Sequence, residues 1–302
     1  MKTDIEIFDP RLLPVVDGSN LIKLCTGATW GEGVLWLAEH NTVIWSDIPN
    51  NRILQWDDAS GMSIWRDKVN FTNGRYRDSN GDVIHCSHGG RSIQRSNASG
   101  ADFETLVDNY QGRRLNSPND IVVKSDGTLW FTDPPYGILS DKEGHKAEPE
   151  LAANYVFRFD PESKALDIVT DFIEEPNGLA FSPDEKLLYI SDTSAALKAD
   201  GTGNHHIVVF DVVDQRSLIN PRVFAEVSPG LADGFRLDRQ GWVYTSSEDS
   251  IQIYHDDGTL LGKIRVPEII ANCTFGGESR NTLYIAASTS LYKITLNTQG
   301  LQ

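Results

Sequence analysis

The chain has 302 residues, 39% hydrophobic and 23% charged, and its 43 acidic against 27 basic residues give a formal charge of −16. That balance argues against nucleic acid or an anionic membrane as partner, because phosphate binding needs clustered Lys and Arg. No run of about 18 apolar residues suggests a membrane-spanning helix, and Cys25, Cys86 and Cys273 are too scattered for a disulfide framework or a Cys-x-x-Cys metal site. The opening residues Met1-Lys2-Thr3-Asp4-Ile5-Glu6 lack the apolar core of a secretory leader. The expected compartment is the cytoplasm, or the periplasm if a leader has been removed.

In chain order, Leu21-Ile22-Lys23-Leu24-Cys25 reads as a strand without a neighbouring hairpin partner. One unit then recurs, in which a polar residue opens a short strand and a second strand follows. Glu32 leads Gly33-Val34-Leu35-Trp36 toward Thr42-Val43-Ile44-Trp45, and Asn73 leads toward Val83-Ile84-His85-Cys86. Asn119 opens Ile121-Val122-Val123, and Ser125-Asp126-Gly127 turns the chain into Leu129-Trp130-Phe131-Thr132. Asn177, Asp233 and Asn272 open the remaining three hairpins. These leading residues recur every 39 to 58 positions, and two further strand-like runs follow most hairpins. Units of roughly 40 to 50 residues with four strands each are the mark of propeller blades.

The expected fold is therefore all-β, a six-bladed β-propeller forming a single domain over residues 1–302. The last unit runs short, so the strand at about 21–25 should complete the sixth blade and close the ring, leaving no open edge. Two stretches without strand pattern, 134–153 and 193–206, follow second strands and should overhang the face on which the leading residues converge.

Those six residues, Glu32, Asn73, Asn119, Asn177, Asp233 and Asn272, are all carboxylates or carboxamides. Oxygen-only donors of this kind suit one hard divalent cation, Ca²⁺ first, with Zn²⁺, Mn²⁺ or Mg²⁺ as alternatives. Glu32, Asn119, Asn177 and Asp233 are the expected ligands; Asn73 and Asn272 should hold water, substrate or neighbouring backbone. His88 and Asp133 end second strands on the same side and are candidate substrate contacts, although strand-end Asp133 and Asp192 also suit local turn capping.

The motifs Gly31-Glu32-Gly33-Val34-Leu35-Trp36, Ser117-Pro118-Asn119-Asp120-Ile121, Phe131-Thr132-Asp133-Pro134-Pro135-Tyr136-Gly137, Pro176-Asn177-Gly178 and Ala232-Asp233-Gly234 occur in order. Together they resemble the gluconolactonase/regucalcin (senescence marker protein) family, nearest its bacterial gluconolactonase branch, over about residues 25 to 295. The resemblance implies hydrolysis of sugar lactones at one divalent ion, with Glu32, Asn177 and Asp233 as ligands and Asn119 as ligand or substrate contact. Tyr136, within the shared motif, joins the substrate contacts. An arginine that touches substrate in the animal branch is Ser117 here, and Arg114 is the nearest candidate to replace it.

The expected chemistry is attack of an activated water on a metal-polarised lactone carbonyl. Asp233 is the first choice of base and Asp133 the second. The chain has no Gly-x-Ser-x-Gly elbow, and a lactone ester needs no covalent nucleophile. The partners expected are a small lactone and at most a second copy of the chain. Esterase or phosphotriesterase activity at the same site is the enzymatic alternative, and a non-catalytic binding propeller the structural one.

Overall fold

A computed structural model describes residues 4–199 and 201–301. Met1 to Thr3, which opened the stretch read for a leader, and Asp200, inside the second insertion, lie outside them. Six antiparallel sheets surround an axial channel, as the repeat predicts. The first blade is Gly31–Leu37, Thr42–Asp47, Arg52–Asp57 and Gly61–Asp67 from axis to rim, and the second is Thr72–Arg77, Val83–Ser87, Ser92–Ser96 and Glu104–Val107. The third starts at Ile121–Val123, the fourth at Pro176–Phe181, the fifth at Phe235–Leu237 and the sixth at Ile270–Gly276.

Neighbouring blades pack face to face, so strands near the axis are covered on both sides, and second strands such as Thr42–Asp47 are rich in β-branched and aromatic residues. Thr42–Asp47 and Val83–Ser87 are buried at every position, whereas the rim strand Gly61–Asp67 leaves several side chains exposed. Cys86 and Cys273 are buried free thiols, and Cys25 is half-buried. Among the described residues no helix is long and apolar enough to cross a membrane.

Ring closure follows expectation, with the strand one residue further on. Ile22–Thr26 is the rim strand of the sixth blade, pairing Ile22 with Lys293 and Thr26 with Ser290. A second pairing was not legible. Ile5–Ile7 adds a fifth strand to the fifth blade, with Ile5 opposite Ile264. Between these strands, Leu12, Val15 and Val16 enter the core shared by the fifth and sixth blades. Each such side chain contributes about 1.5 to 3 kcal/mol on burial, so the N-terminal segment is bound to two blades at once.

Candidate active site

Each innermost strand starts at the axis, and in four blades a register shift lies at that start. The shifts fall between Glu32 and Leu35, Thr72 and Arg75, Pro176 and Leu179, and Ile270 and Asn272. A bulge disrupts the ladder locally and re-aims side chains; Asn73 and Asn177 fall inside the shifts, and Glu32 and Asn272 are the paired residues that border them. The strands also touch one another around the ring. Gly74 N–H donates to Asn119 O at 2.8 Å and Gly178 N–H to Asp233 O at 3.0 Å. A Cβ at Gly178 would lie 2.3 Å from Asp233 O, and one at Gly33 (φ +53°) 2.1 Å from Asn73 O. Glycine after the polar residue is thus a packing requirement of the convergence.

Glu32, Asn73, Asn119, Asn177 and Asp233 line one cavity of about 390 Å³. Asn272 lies just behind, donating from Nδ2 to Glu32 Oε2 at 3.0 Å and accepting Cys273 N–H on Oδ1 at 2.8 Å. Gly33 N–H also donates to Glu32 Oε2, at 2.8 Å. Burial pushes the Glu32 carboxyl up to about 7, even with these donors opposing it. Asp233 is held well above the usual carboxylate range, first by burial and then by the Glu32 charge beside it. The two carboxyls are in contact with no side-chain cation between them, which disfavours both being charged at once.

The amides turn their nitrogens away. Asn177 Nδ2 donates to Thr193 Oγ1 at 3.3 Å, and Thr193 Oγ1 is 2.6 Å from the Tyr136 hydroxyl. Asn73 Nδ2 lies 3.1 Å from His88 Nε2, while His88 Nδ1 lies 3.0 Å from Glu143 O. A carbonyl can only accept, so Nδ1 carries the hydrogen and Nε2 accepts from Asn73. Burial lowers His88 to about 4, which fixes this neutral tautomer near pH 7. Asn73 Oδ1 is left buried without a partner among the described residues.

His88 and Tyr136 line the cavity with the ring of oxygen donors, although both His88 nitrogens are already engaged. Arg114 and Asp133 are corrections to the substrate contacts expected from sequence. Arg114 is exposed, and its Nη2 donates to Gly90 O at 2.9 Å, outside the cavity. Asp133 is fully buried and accepts Asn116 N–H at 2.8 Å. Second strands lie one strand out from the axis, so their terminal aspartates cap the segments entering the innermost strands. Asp47 receives Thr29 N–H, and Asp192 receives Glu174 and Glu175 N–H, in the same way.

Sequence reasoning missed Thr193, whose only sign was a hydroxyl residue directly after a second strand. It also missed the walls Trp30, Ile48, Leu231 and Ile269 and the carboxylates Glu143 and Glu248, which come from loops without a repeat pattern. Deeper in the channel, Arg236 Nη1 lies 3.4 Å from Asp120 Oδ2, and its guanidinium sits 6.0 Å over the Tyr76 ring. Arg75 donates to Gly33 O and Ser46 Oγ. A separate trio, His255, Asp256 and Asp257, gathers three donor atoms within 4.8 Å on the surface, where Arg11 pairs with Asp257.

A gluconolactonase from Zymomonas mobilis is 31% identical over 97% of this chain and 86% of its own length. The solved structure of a gluconolactonase from Xanthomonas campestris superposes with a TM-score of 0.89 at 39% identity, covering 97% of this chain and 94% of that one. A calcium-binding regucalcin from Agrobacterium tumefaciens has the same fold, with a TM-score of 0.74 and 18% identity over 92% of this chain and 94% of that one. The model of the SMP-30/gluconolactonase/LRE-like region matches residues 30–289, and the chain belongs to that family.

Proposed function

We propose that this chain, a lactone hydrolase by family, opens sugar lactones at the acidic mouth of its channel with one divalent cation held there. The reading rests on a single observation: Glu32 and Asp233 meet in a cavity that Asn73, Asn119 and Asn177 also line, with the Asn73 and Asn177 nitrogens tied back to His88 and Thr193. Such a donor set fits a hard cation, and the orphaned Asn73 Oδ1 adds an oxygen in want of a partner. Glu32, Asn119, Asn177 and Asp233 would hold the ion. Calcium is the first choice, in keeping with the calcium-binding neighbour of the same fold. When bound, the cation supplies a Lewis acid for the lactone carbonyl oxygen and offsets the two carboxylates.

The remaining chemistry belongs to the protein. Asp233 accepts a proton from the attacking water as its oxygen bonds to the carbonyl carbon, and returns that proton to the ring oxygen as the ester C–O bond breaks. The balance is one lactone and one water to one hydroxy acid. Tyr136, which lines the same cavity, orients the sugar hydroxyls. Trp30, Ile48, Leu231 and Ile269 cover the apolar face of the ring and exclude bulk water. His88 fixes the Asn73 amide on one side and the 134–153 insertion on the other.

The test is acid release from a panel of aldonolactones by protein stripped of metal and then supplied with Ca²⁺, Mn²⁺, Zn²⁺ or Mg²⁺ in turn. Turnover should vanish on chelation and return with a cation. Undiminished turnover by protein shown to be metal-free would overturn the reading.

A further inference from the structure

The cavity shared by Glu32 and Asp233 carries two more carboxylates and no Lys or Arg. Glu143, from the 134–153 insertion, and Glu248, just beyond the second strand of the fifth blade, both line it. Its one imidazole, His88, is kept neutral by burial. Two other glutamates at this end are paired, Glu150 with Arg91 and Glu174 with Lys198, and Glu175 accepts from the Asn154 amide. Among the described residues, Glu143 and Glu248 enter no ion pair, and the one charge that offsets Glu143 is the adjacent Lys142. Ser117 is buried, with its hydroxyl donating to Pro134 O at 2.6 Å, and Arg114 lies outside. No cationic side chain among the described residues lines the space a substrate would enter.

The sign survives a bound cation. A divalent ion offsets Glu32 and Asp233 and leaves Glu143 and Glu248 uncompensated. An anionic substituent about 6 Å from either carboxylate, at the dielectric usual for such sites, meets repulsion worth on the order of a hundredfold in affinity. Hydrolysis itself creates a carboxylate, so the same field acts on the product.

Resting on the lactonase reading, we propose that Glu143 and Glu248 form a charge filter. Neutral sugar lactones are admitted, lactones bearing phosphate, sulfate or a second carboxylate are rejected, and the newly formed acid is driven out. Glu143 and Glu248 are specificity-determining residues and take no part in the bond changes. Specificity here rests on a repulsive element placed against the wrong substrate.

The experiment compares kcat/KM for glucono-1,5-lactone and its 6-phosphate, by acid release, in the metal-loaded wild type and in Glu143→Gln, Glu143→Lys and Glu248→Gln. The wild type should prefer the neutral lactone by about a hundredfold or more at low salt, and added salt should narrow the gap. Glu143→Gln should shrink the ratio by up to about a hundredfold, equivalent to about 2.8 kcal/mol, and Glu143→Lys should shrink it further. Glu248→Gln, at an exposed position, carries the test if the Glu143 variants fold poorly. Gluconate should inhibit each variant more strongly than it inhibits the wild type. Equal use of both lactones by the wild type, or a ratio that no variant moves, would overturn the filter while leaving lactone hydrolysis standing. Absence of turnover on any lactone would instead overturn the hydrolytic reading. The filter would then stand or fall on calorimetric binding of gluconolactam against its 6-phosphate, with equal affinities overturning it.

Discussion

The two ends of the channel are built from the same innermost strands and treat charge in opposite ways. At the open mouth Glu32 and Asp233 are crowded together, and Glu143 and Glu248 add to them. One residue past Asn119 and three past Asp233, the deeper layer opposes Asp120 to Arg236 at 3.4 Å. A buried charge with a counter-charge is a structural element. A buried pair of like charges is tolerated where something outside the protein completes it, which is why such pairs gather at functional sites.

The largest expected break in that contrast is at Asp233. Asp233→Asn keeps the size and one oxygen of the side chain but removes the proton acceptor, and lactone turnover should fall by roughly 10²- to 10⁴-fold even at saturating cation. Asn177→Ala removes a neutral oxygen and no base, so added cation should restore most of its activity. Turnover across a cation titration of the two variants separates the roles. Full rescue of Asp233→Asn would leave it a ligand alone.

At the deeper layer the effect should be on stability. Arg236→Met leaves Asp120 buried without its partner and should cost about 3 to 5 kcal/mol in urea unfolding. Turnover per folded molecule should stay within a few-fold of the wild type. A comparable loss of turnover would show that the two layers do not act separately.

The smallest expected effect concerns Glu32 and runs with pH. Its carboxyl rises from the ordinary 4.5 to about 7 in the metal-free fold, so the folded state holds the proton more tightly than the unfolded chain does. The associated stability is fully present below 4.5 and is lost as pH rises through about 7. The melting temperature of the metal-free wild type should therefore decline across that window, and in Glu32→Gln the decline should be shallower. Equal slopes would mean that Glu32 does not carry the proton.

The sequence makes the blades and the convergence of Glu32, Asn73, Asn119, Asn177 and Asp233 legible, because a repeated hairpin puts equivalent residues in equivalent places. It says less where position depends on a partner outside the repeat. Asp133 ends a strand on the correct side, but the radial step from axis to second strand decides what it meets, and it meets Asn116 N–H. Arg114 is near Ser117 in sequence, yet its side chain turns to Gly90 O. Glu143 and Glu248 sit on loops whose path no local pattern specifies. Ile5–Ile7 is three residues long, too short for alternation to distinguish it from a tail.

The binding of the N-terminal segment to two blades also sets an order in time. Ile5 pairs with Ile264 and Ile22 with Lys293, so the first strands to leave the ribosome wait for nearly the last. At about 5 to 20 residues per second, the roughly 260 intervening residues take about 13 to 52 seconds to appear. Throughout that interval the ring is an open arc with unpaired edges at both ends. Chains arrested before Leu260 should consequently be cut by protease within residues 4–26, and released full-length protein should resist at the same sites. For this fold, completion of synthesis and closure of the ring are nearly the same event.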